Sequence, residues 1–531
     1  MKAPELAAVA AKALSDVGSD IMFGVPGGGN NLEMIGAAEA AGIRFVLAHG
    51  ETAATIMAAV YGDLTRRPAA CIVTRGPGAA SAVNGAAQAL LDRQPLLLLT
   101  DAVSSAERQR VSHQRLDQTA MFAAVTKSSG TLGRHDAVGT IEGALALAVQ
   151  APPGPVHLDF DPAATSAVVS PLPAPAASPE AATERLLGYV AASRRPALLL
   201  GVGARGASAQ IRDLVRGTGI PVLMTYRAKG IVPDSWPNSG GLLTGATVEA
   251  PILEAADLLV AIGLDTVELI PNAWAYEAPV VSLSSWPEDS PYFAAQVEVV
   301  GDLGALVGRL TLADGWPGGF AADERGRGVA RLVDGPAPED GLAPTDVVAR
   351  TRAIAPAGTI ATVDAGAHML AAMPLWDTEE PDEVLISSGL ATMGFALPAA
   401  VAAALAYPDR RTVCFVGDGG LGMALAELET VARLGLPITV VVFNDSALSL
   451  IALKQKSDGH GGSGAIAYRE TDFAMIGEGS GIPSVRVARG DDLDRELAKT
   501  FAADGPALLD VRVDPRGYPH IMNAIRGPRQ R

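Results

Sequence analysis

Short apolar runs alternate along the whole chain with longer stretches whose apolar positions recur at helical spacing. Runs such as Ala70–Val73, Leu258–Ile262 and Thr412–Val416 are typical of β-strands, and the stretches between them favour helices. Regular alternation of the two indicates parallel sheets covered by helices. We therefore predict an α/β protein.

The pattern repeats in all three thirds of the chain, and it predicts three doubly wound parallel-sheet domains. One helix is expected directly after Thr412–Val416, with Leu421, Leu425, Leu428 and Val431 on one face. Two further helices are expected near Thr52–Asp63 and Ala79–Leu91. The predicted strands are Phe45–Leu47, Ala70–Val73, Leu96–Leu99, Ala197–Leu200, Pro221–Met224, Leu258–Ile262, Val280–Leu283, Thr412–Val416 and Ile438–Phe443.

Two proline- and alanine-rich stretches, Ser170–Pro179 and Asp334–Pro344, interrupt this pattern. Proline at that density disfavours both helices and strands, so both stretches are predicted to be linkers. They divide the 531 residues into expected domains at 1–169, 180–333 and 345–531.

Composition narrows the classes of partner. The net charge of −17 argues against nucleic acid and anionic membranes, which require basic surfaces. Two cysteines, Cys71 and Cys414, are too few for a disulfide framework or a thiolate metal site. No apolar stretch reaches the length of a membrane span, and the segment Met1–Gly18 is typical of an amphipathic helix. We expect a cytoplasmic protein that acts on a small molecule.

The most informative motif comes after the strand Thr412–Val416. Gly417-Asp418-Gly419-Gly420 stands directly behind it, and Asn444-Asp445 stands behind the next strand, so that Asp418 and Asp445 are separated by one helix and one strand. In a parallel sheet this spacing brings both carboxylates to the edge where ligands bind. Glycines allow a phosphate to approach the backbone, and carboxylates suit Mg²⁺. The alternative is a glycine turn that only ends a strand, and the second acidic residue argues against it.

The segment from Asp418 to Asp445 resembles the motif of enzymes that bind thiamine diphosphate, with Asp445 in place of the motif's second asparagine. The resemblance implies that Gly417, Asp418, Gly419 and Gly420 bind the cofactor. It also implies a magnesium site formed by Asp418, Asp445 and the backbone carbonyl of Ala447.

The rest of the chain resembles the acetolactate synthase and 2-oxo acid decarboxylase family in the same order. Turns containing Gly27, Gly28 and Pro77 are similar to the family's pyrimidine-binding turns, and the separation of Glu51 from Gly76 is similar to the family's spacing for its catalytic glutamate. His113 and Gln114 lie in a stretch similar to one on the substrate side of the family's site.

Three further residues complete the cofactor site that the resemblance implies. Gly389 and Met393 lie in a stretch similar to one that holds the cofactor bent, and Leu448 is expected near the cofactor. Glu51 is expected to contact N1′ of the cofactor's aminopyrimidine and to assist removal of the C2 proton. His113 and Gln114 would donate hydrogen bonds to the reacting oxygen.

The resemblance implies that the chain decarboxylates a 2-oxo acid and transfers the product to a second carbonyl, with thiamine diphosphate and Mg²⁺ as cofactors. It also implies a homodimer or homotetramer whose sites lie between subunits. Gly201–Gly206 contains a G-x-G-x-x-G pattern but no acidic residue follows it near Ile220–Met224, so we expect no FAD.

Three alternatives stay open at this point. One is a simple decarboxylase of bulkier 2-oxo acids, similar to benzoylformate decarboxylase, because the stretch Ala447–Gln455 contains no aromatic residue. Another is a non-catalytic member of the family, against which the presence of Glu51 argues. The third is a flavin-dependent oxidase of the same fold, against which the missing FAD pattern argues.

Overall fold

The chain is described by a computed structural model that covers residues 2–166, 176–288, 292–457, 459 and 464–527. Within these ranges the strands form three six-stranded sheets, and every pair of neighbouring strands is parallel. This confirms the predicted class of three doubly wound α/β domains. In the described ranges no helix is both long and apolar enough to cross a membrane.

The first sheet has the strand order β2-β1-β3-β4-β6-β5. Helices α1, α2 and α6 cover one face, and α3 and α4 cover the other. Its strands are β1 Ile21–Val25, β2 Arg44–Leu47, β3 Ala69–Val73, β4 Leu96–Asp101, β5 Ser128–Leu132 and β6 Pro155–Phe160. The helices are α1 Ala3–Asp16, α2 Asn30–Ala40, α3 Glu51–Thr65, α4 Pro77–Leu91, α5 Gln118–Phe122 and α6 Ala137–Val149.

The central sheet has the order β12-β11-β10-β7-β8-β9. Its strands are β7 Pro196–Leu200, β8 Val222–Met224, β9 Ser239–Leu242, β10 Leu258–Ile262, β11 Val280–Ser284 and β12 Val297–Val300. The helices around it are α7 Glu180–Ala192, α8 Ser208–Val215, α9 Ala250–Ala255, α10 Leu303–Val307 and α11 Phe320–Val333. A 3₁₀ helix, Val202–Ala207, comes directly after β7.

The third sheet has the order β14-β13-β15-β16-β18-β17, which repeats the order of the first. Its strands are β13 Ile360–Val363, β14 Val384–Ile386, β15 Thr412–Gly417, β16 Ile438–Asn444, β17 Ser484–Val487 and β18 Ala507–Arg512. The helices are α12 Pro344–Ile354, α13 Met369–Leu375, α14 Ala396–Ala406, α15 Asp418–Ala424, α16 Glu427–Leu434, α17 Ser449–Ser457, α18 Phe473–Gly479, α19 Gly490–Ala502 and α20 Tyr518–Arg526.

One hydrophobic core joins the first and third sheets. Alanine-rich helices α3, α4 and α14 supply most of the contact, because their small side chains let helix backbones approach closely. A Cβ atom placed on Gly85 would lie 2.6 Å from the Cβ of Thr55, so α3 and α4 touch at this glycine. The core fixes the two sheets relative to each other.

Each strand predicted from the sequence is present, with ends shifted by at most a few residues. The helix predicted after Thr412–Val416 is two helices, α15 and α16, which are separated at Leu425 and Ala426. Apolar spacing continues across this break, so the pattern did not reveal it. Residues 334–343 contain no helix, whereas residues 170–175 of the other predicted linker lie outside the described residues.

Candidate active site

Two aspartates stand side by side at the carboxyl edge of the third sheet. Strands β15 and β16 are paired in parallel, with Gly417 opposite Phe443. Asp418 therefore follows β15 at the level of Asn444, and Asp445 is the next residue after β16. The structure brings the two predicted metal ligands together, as their places after neighbouring strands imply.

The environment of this pair disfavours negative charge unless a cation is present. Asp418 is 7% exposed, and its Oδ2 atom has no hydrogen-bond partner among the described residues. Burial raises its pKa, and burial together with the nearby Asp418 charge raises the pKa of Asp445 to about 7. Ser449 Oγ donates to Asp445 Oδ2 at 2.5 Å, and the amide of Ala447 donates to Oδ1 at 3.2 Å.

A cleft opens above the two aspartates. Its walls combine the acidic pair with apolar side chains, which is the composition of a site that binds a charged group beside an organic ring. Lining residues include Ala391, Met393, Gly417, Asp418, Gly419, Gly420, Asp445, Ala447, Leu448 and Ile451. Of the cofactor and metal residues predicted in this domain, all except Gly389 therefore line one cleft.

His368 was not predicted, and it is the most informative residue that the structure adds. It lines the same cleft, is 3% exposed and stacks on Phe443 with 5.3 Å between ring centres. Burial lowers its pKa to about 4 against the opposing effect of hydrogen bonds to the backbone of Phe415 and Asp364, so the ring is neutral at pH 7. Its Nε2 atom has no partner among the described residues.

The position of the ring proton determines whether His368 Nε2 donates or accepts a hydrogen bond. Hydrogen bonds that raise a histidine pKa are donated by the ring, and Nε2 has no partner among the described residues. A neutral imidazole has one N–H, and Nε2 is an acceptor in the tautomer that carries the proton on Nδ1. His368 is therefore suited to accept a hydrogen bond from a bound N–H or O–H group.

Knowing that a strand precedes His368 would have been enough to predict that the residue lies at the edge of the sheet near Asp418. The segment Gly366–Met369 comes after β13, which neighbours β15 in the sheet, so it reaches the same edge as Asp418. The strand β13 was not among those predicted, and without it the histidine had no expected position.

Buried Asp364 orders the turn that presents Met393. Its carboxylate accepts backbone N–H groups from Gly394 at 3.0 Å and from Phe395 at 2.9 Å, just before α14. A Cβ atom on Gly420 would lie 1.9 Å from Asp364 Oδ2, so only glycine fits there. Burial raises the pKa of Asp364 to about 6.

Gly389 lies earlier in the same loop and does not line the cleft. Its N–H donates to Asp92 Oδ1 at 2.7 Å.

The remaining glycines of the turn are also close to other groups. A Cβ atom on Gly419 would lie 2.9 Å from Leu448 Cδ2, and one on Gly417 would lie 3.3 Å from His368 Nδ1. Gly419 N–H donates to Asp418 Oδ1 at 2.6 Å. The turn thus keeps its backbone close to the cleft and leaves the Oδ2 atom of Asp418 available to a cation.

Glu51 lies in a second group of predicted residues, at the carboxyl edge of the first sheet. It is the first residue of α3, and its Oε1 atom lies 3.1 Å from a Cβ placed on Gly78, beside the start of α4 at Pro77. Gln114 is close by, because a Cβ on Gly76 would lie 2.9 Å from Gln114 Cβ. The structure therefore groups Glu51, the turn at Pro77 and Gln114.

Other predicted residues of the first sheet lie around this group. His113 and Gln114 are exposed, and Gln114 has a left-handed φ of 54°. Gly27 N–H donates to Asn31 Oδ1 at 2.9 Å, and a Cβ on Gly27 would lie 2.2 Å from Thr74 Oγ1. Gly28 is exposed with no atom within 4 Å of such a Cβ.

Within the described residues of one chain, the two groups do not line a common cleft. All residues that line the cleft above Asp418 come from the third sheet and its helices, and neither Glu51 nor Gln114 is among them. Within the residues that the structure describes, no cluster of three or more His, Cys, Asp or Glu side chains could hold a metal. A cation at Asp418 and Asp445 would therefore need further oxygen ligands from the backbone or from a bound ligand.

In the glycine-rich turn of the central sheet, Gly201–Gly206, backbone amides donate hydrogen bonds to other residues of the chain. Val202 N–H donates to Glu268 Oε2 at 2.8 Å, and Gly203 N–H donates to the Gly263 carbonyl at 2.9 Å. A Cβ on Gly201 would lie 2.4 Å from Leu264 Cα, so this glycine permits contact between two protein turns. Burial raises the pKa of Glu268 to about 7.

Comparison with known proteins assigns the class. Residues 4–121 match the N-terminal TPP binding domain of thiamine pyrophosphate enzymes, residues 183–310 match their central domain, and residues 364–511 match their C-terminal TPP binding domain. The order of these matches is that of the three sheets. They define a thiamine diphosphate-dependent enzyme.

Similar sequences show which family of these enzymes the chain belongs to. The large subunit of acetolactate synthase isozyme 1 of Escherichia coli is 30% identical, over 96% of this chain and 94% of the relative. The large subunit of isozyme 2 of the same organism is 29% identical, over 94% of both chains. Acetolactate synthase of Bacillus subtilis is 27% identical, over 94% of this chain and 92% of the relative. The chain belongs to the acetolactate synthase family, and these relatives do not favour the benzoylformate decarboxylase-like alternative.

Proposed function

We propose that the chain decarboxylates a 2-oxo acid and joins the remaining fragment to an acceptor carbonyl, in keeping with the names of its relatives. The observation that carries the proposal is the cleft. It combines Asp418 Oδ2 and His368 Nε2, which have no hydrogen-bond partner in the part of the chain that the structure describes, with apolar Met393 and Leu448. When bound, thiamine diphosphate supplies the electron sink for decarboxylation.

The cleft fits the diphosphate end of the cofactor together with Mg²⁺. Asp418 and Asp445 offer carboxylate oxygens, Ala447 offers its carbonyl, and Mg²⁺ prefers such ligands combined with phosphate oxygens and water. A cation between the two carboxylates would remove the repulsion that contributes to the raised pKa of Asp445. His368 Nε2 would accept a hydrogen bond from a metal-bound water or from the cofactor. Met393 and Leu448 would support the rings of the cofactor.

Glu51 is proposed as the group that hydrogen-bonds N1′ of the aminopyrimidine and so assists removal of the C2 proton. Gln114 and His113 would donate hydrogen bonds to the oxygen of the 2-oxo acid. Since none of these residues lines the cleft of its own chain, we propose that they act on the cofactor held by a second copy, as in a homodimer or a homotetramer built from dimers.

Mixing two inactive variants tests this arrangement. Glu51→Gln damages one half of each site and Asp418→Ala the other half. If sites lie between subunits, a mixed dimer has one intact site of two, and random mixing restores about a quarter of full activity. No recovery after verified subunit exchange would refute shared sites. Light scattering reports the oligomeric state of each sample.

We propose further that the central sheet binds no flavin. Its turn amides already donate to Glu268 and to the Gly263 carbonyl, so they are not free to bind a pyrophosphate. To test this, purified protein is denatured and the supernatant is assayed for flavin fluorescence. A stoichiometric flavin signal would contradict the proposal.

We propose that the three sheets belong to domains with boundaries at 1–169, 180–333 and 345–531. Limited proteolysis should cut first between these ranges, at residues 334–343 above all, because that stretch has no helix. Early cuts within a sheet would contradict these boundaries.

Proton NMR of the reaction products is the experiment that tests the activity. Purified protein is mixed with pyruvate, thiamine diphosphate and Mg²⁺, and Glu51→Gln serves as the control. Acetolactate formed only by the unmodified protein supports the proposal. Consumption of pyruvate to acetaldehyde alone, or no consumption of any 2-oxo acid tried, would contradict it.

A further inference from the structure

The turn that precedes Glu51 is held by a helix of the third domain. We call residues Leu47–Gly50 the Glu51 loop, since they connect β2 to the first residue of α3. Helix α16 contacts this loop through hydrogen bonds that Glu427 and Glu429 accept and one that Arg433 donates.

Glu427 makes the central contact. Its Oε1 atom accepts the backbone N–H groups of both His49 and Gly50, each at 3.0 Å. Its Oε2 atom accepts Thr430 Oγ1 at 2.8 Å, which fixes the orientation of the carboxylate. Glu427 is 2% exposed, so water does not replace these bonds when they are lost.

Two outer bonds flank this contact. Glu429 Oε2 pairs with His49 Nε2 at 2.7 Å, and Arg433 Nη2 donates to the Leu47 carbonyl at 2.6 Å. The side chains of Glu429 and Arg433 are 46% and 35% exposed, so water screens these interactions. The buried carboxylate of Glu427 is therefore the main restraint on the loop.

Fixing Gly50 fixes Glu51. Gly50 is the N-cap of α3, and its carbonyl accepts Ala54 N–H at 2.9 Å, so its position sets where the helix begins. The side chain of Glu51, on the first residue of that helix, then lies beside Gly78. A carboxyl group that acts on one ring nitrogen depends on placement within a fraction of an ångström.

We propose that Glu427 is a positioning residue for Glu51, which it aligns by binding the two amides that precede it. The inference rests on the proposed function of Glu51. It assigns a role in catalysis to a residue that belongs to the third sheet's helices and does not line the cleft of its own chain.

The test uses two readouts on the full-length protein. Hydrogen exchange of the amides at 49 and 50, measured without cofactor, reports the loop; we expect at least about tenfold faster exchange in Glu427→Ala. Exchange of the C2 proton of bound thiamine diphosphate reports Glu51, and we expect it to slow by about 100-fold with kcat, while KM and cofactor affinity change little. Glu427→Gln keeps an oxygen acceptor and should stay within about threefold of the unmodified protein.

Glu249 provides a matched control for stability. It is also 2% exposed and accepts backbone amides, from Gly245 at 2.7 Å and Ala246 at 3.0 Å, but it belongs to the central sheet's domain. Glu249→Ala should destabilise the protein without slowing C2 exchange. If Glu427→Ala does not fold, Thr430→Val is used in its place. This substitution removes the hydrogen bond to Glu427 Oε2 but keeps the carboxylate, so we expect a smaller decrease in the rate of C2 exchange.

The outcomes separate this inference from the proposed function. If the unmodified protein does not accelerate C2 exchange, or Glu51→Gln does not abolish the acceleration, the proposed function fails. If both behave as expected while Glu427→Ala retains full C2 exchange, or Glu249→Ala slows it equally, the positioning role is refuted and the proposed function stands.

Discussion

A buried cluster of charges joins all three domains, and its loss should be measurable. We call Asp63, Arg66, Arg205, Arg227 and Asp382 the Asp63 cluster. Asp63 accepts Arg205 at 2.7 Å, Arg227 at 2.8 Å and Arg66 at 3.0 Å, while Asp382 accepts Arg205 at 2.6 Å and Arg66 at 2.5 Å. These residues come from α3 and the residue after it, the central sheet's loops and the loop before β14.

Asp63→Ala leaves Arg205 and Arg66 paired with Asp382 alone and removes the carboxylate that pairs with Arg227. The side chains of Arg205 and Arg227 are only 11% and 6% exposed, so water compensates little, whereas Arg66 at 49% is partly solvated. Removing one partner of a buried ion pair costs about 3–5 kcal/mol, and we expect a loss of that size in the free energy of unfolding. Because the cluster spans three domains, urea unfolding should also separate into more than one transition.

Urea unfolding at pH 7 is followed by tryptophan fluorescence, with Asp16→Ala as the control. Asp16 pairs with Lys12 at 2.7 Å, but both side chains are more than half exposed, so its removal should cost less than about 1 kcal/mol. A cost below about 1 kcal/mol for Asp63→Ala, with one unchanged transition, would refute the reasoning.

The pH dependence gives a second check of the same prediction. The three arginines hold the pKa of Asp63 well below its usual range despite the opposing effect of burial. Since folding lowers this pKa, the stabilisation is fully present above the unfolded pKa of about 4 and is lost as the pH falls further. The difference in stability between Asp63→Ala and the unmodified protein should therefore narrow below about pH 4.

Three further substitutions test the candidate site. Glu51→Gln should leave cofactor affinity within about threefold and lower kcat by about 100-fold to 10,000-fold, measured by calorimetry and steady-state kinetics; unchanged kcat would contradict its role. Asp418→Ala should abolish Mg²⁺-dependent binding of thiamine diphosphate in the same calorimetry, and retained binding would remove Asp418 from the metal site. His368→Ala should weaken cofactor binding by about tenfold through loss of one hydrogen bond. Because the pKa of His368 is lowered to about 4, that loss should be constant between pH 6 and 8, and a loss confined to the alkaline end would contradict a ring that is neutral throughout.

The parts of the site that follow directly from two neighbouring strands could be predicted from the sequence. Continuous apolar runs located β15 and β16, and the spacing between Asp418 and Asp445 then placed both carboxylates at one edge. Parallel strands joined by one short crossover leave little freedom in that arrangement. The three-sheet architecture was predictable from the same pattern.

Contacts between distant segments could not be predicted from the sequence. His368 and Asp364 come after β13, whose place beside β15 is a property of the sheet order. Glu427 meets Gly50 only because α3, α4 and α14 pack in one core. Hydrophobic spacing carries no information about which domains touch, and it also missed the break between α15 and α16.

The first and third sheets have the same strand order but carry different residues at the ends of corresponding strands. After β3 comes the turn at Gly76, which packs against Gln114, whereas the corresponding strand β15 leads into Asp418 and its glycines. After β1 comes the turn with Gly27 and Gly28, whereas the corresponding strand β13 leads into the segment with His368; Glu51 follows β2. One sheet thus presents the carboxyl group proposed to assist proton removal, and the other presents the proposed cation ligands. Since the fold is shared, the division of chemistry lies in these strand-end residues, and substitutions there should change function while leaving both sheets intact.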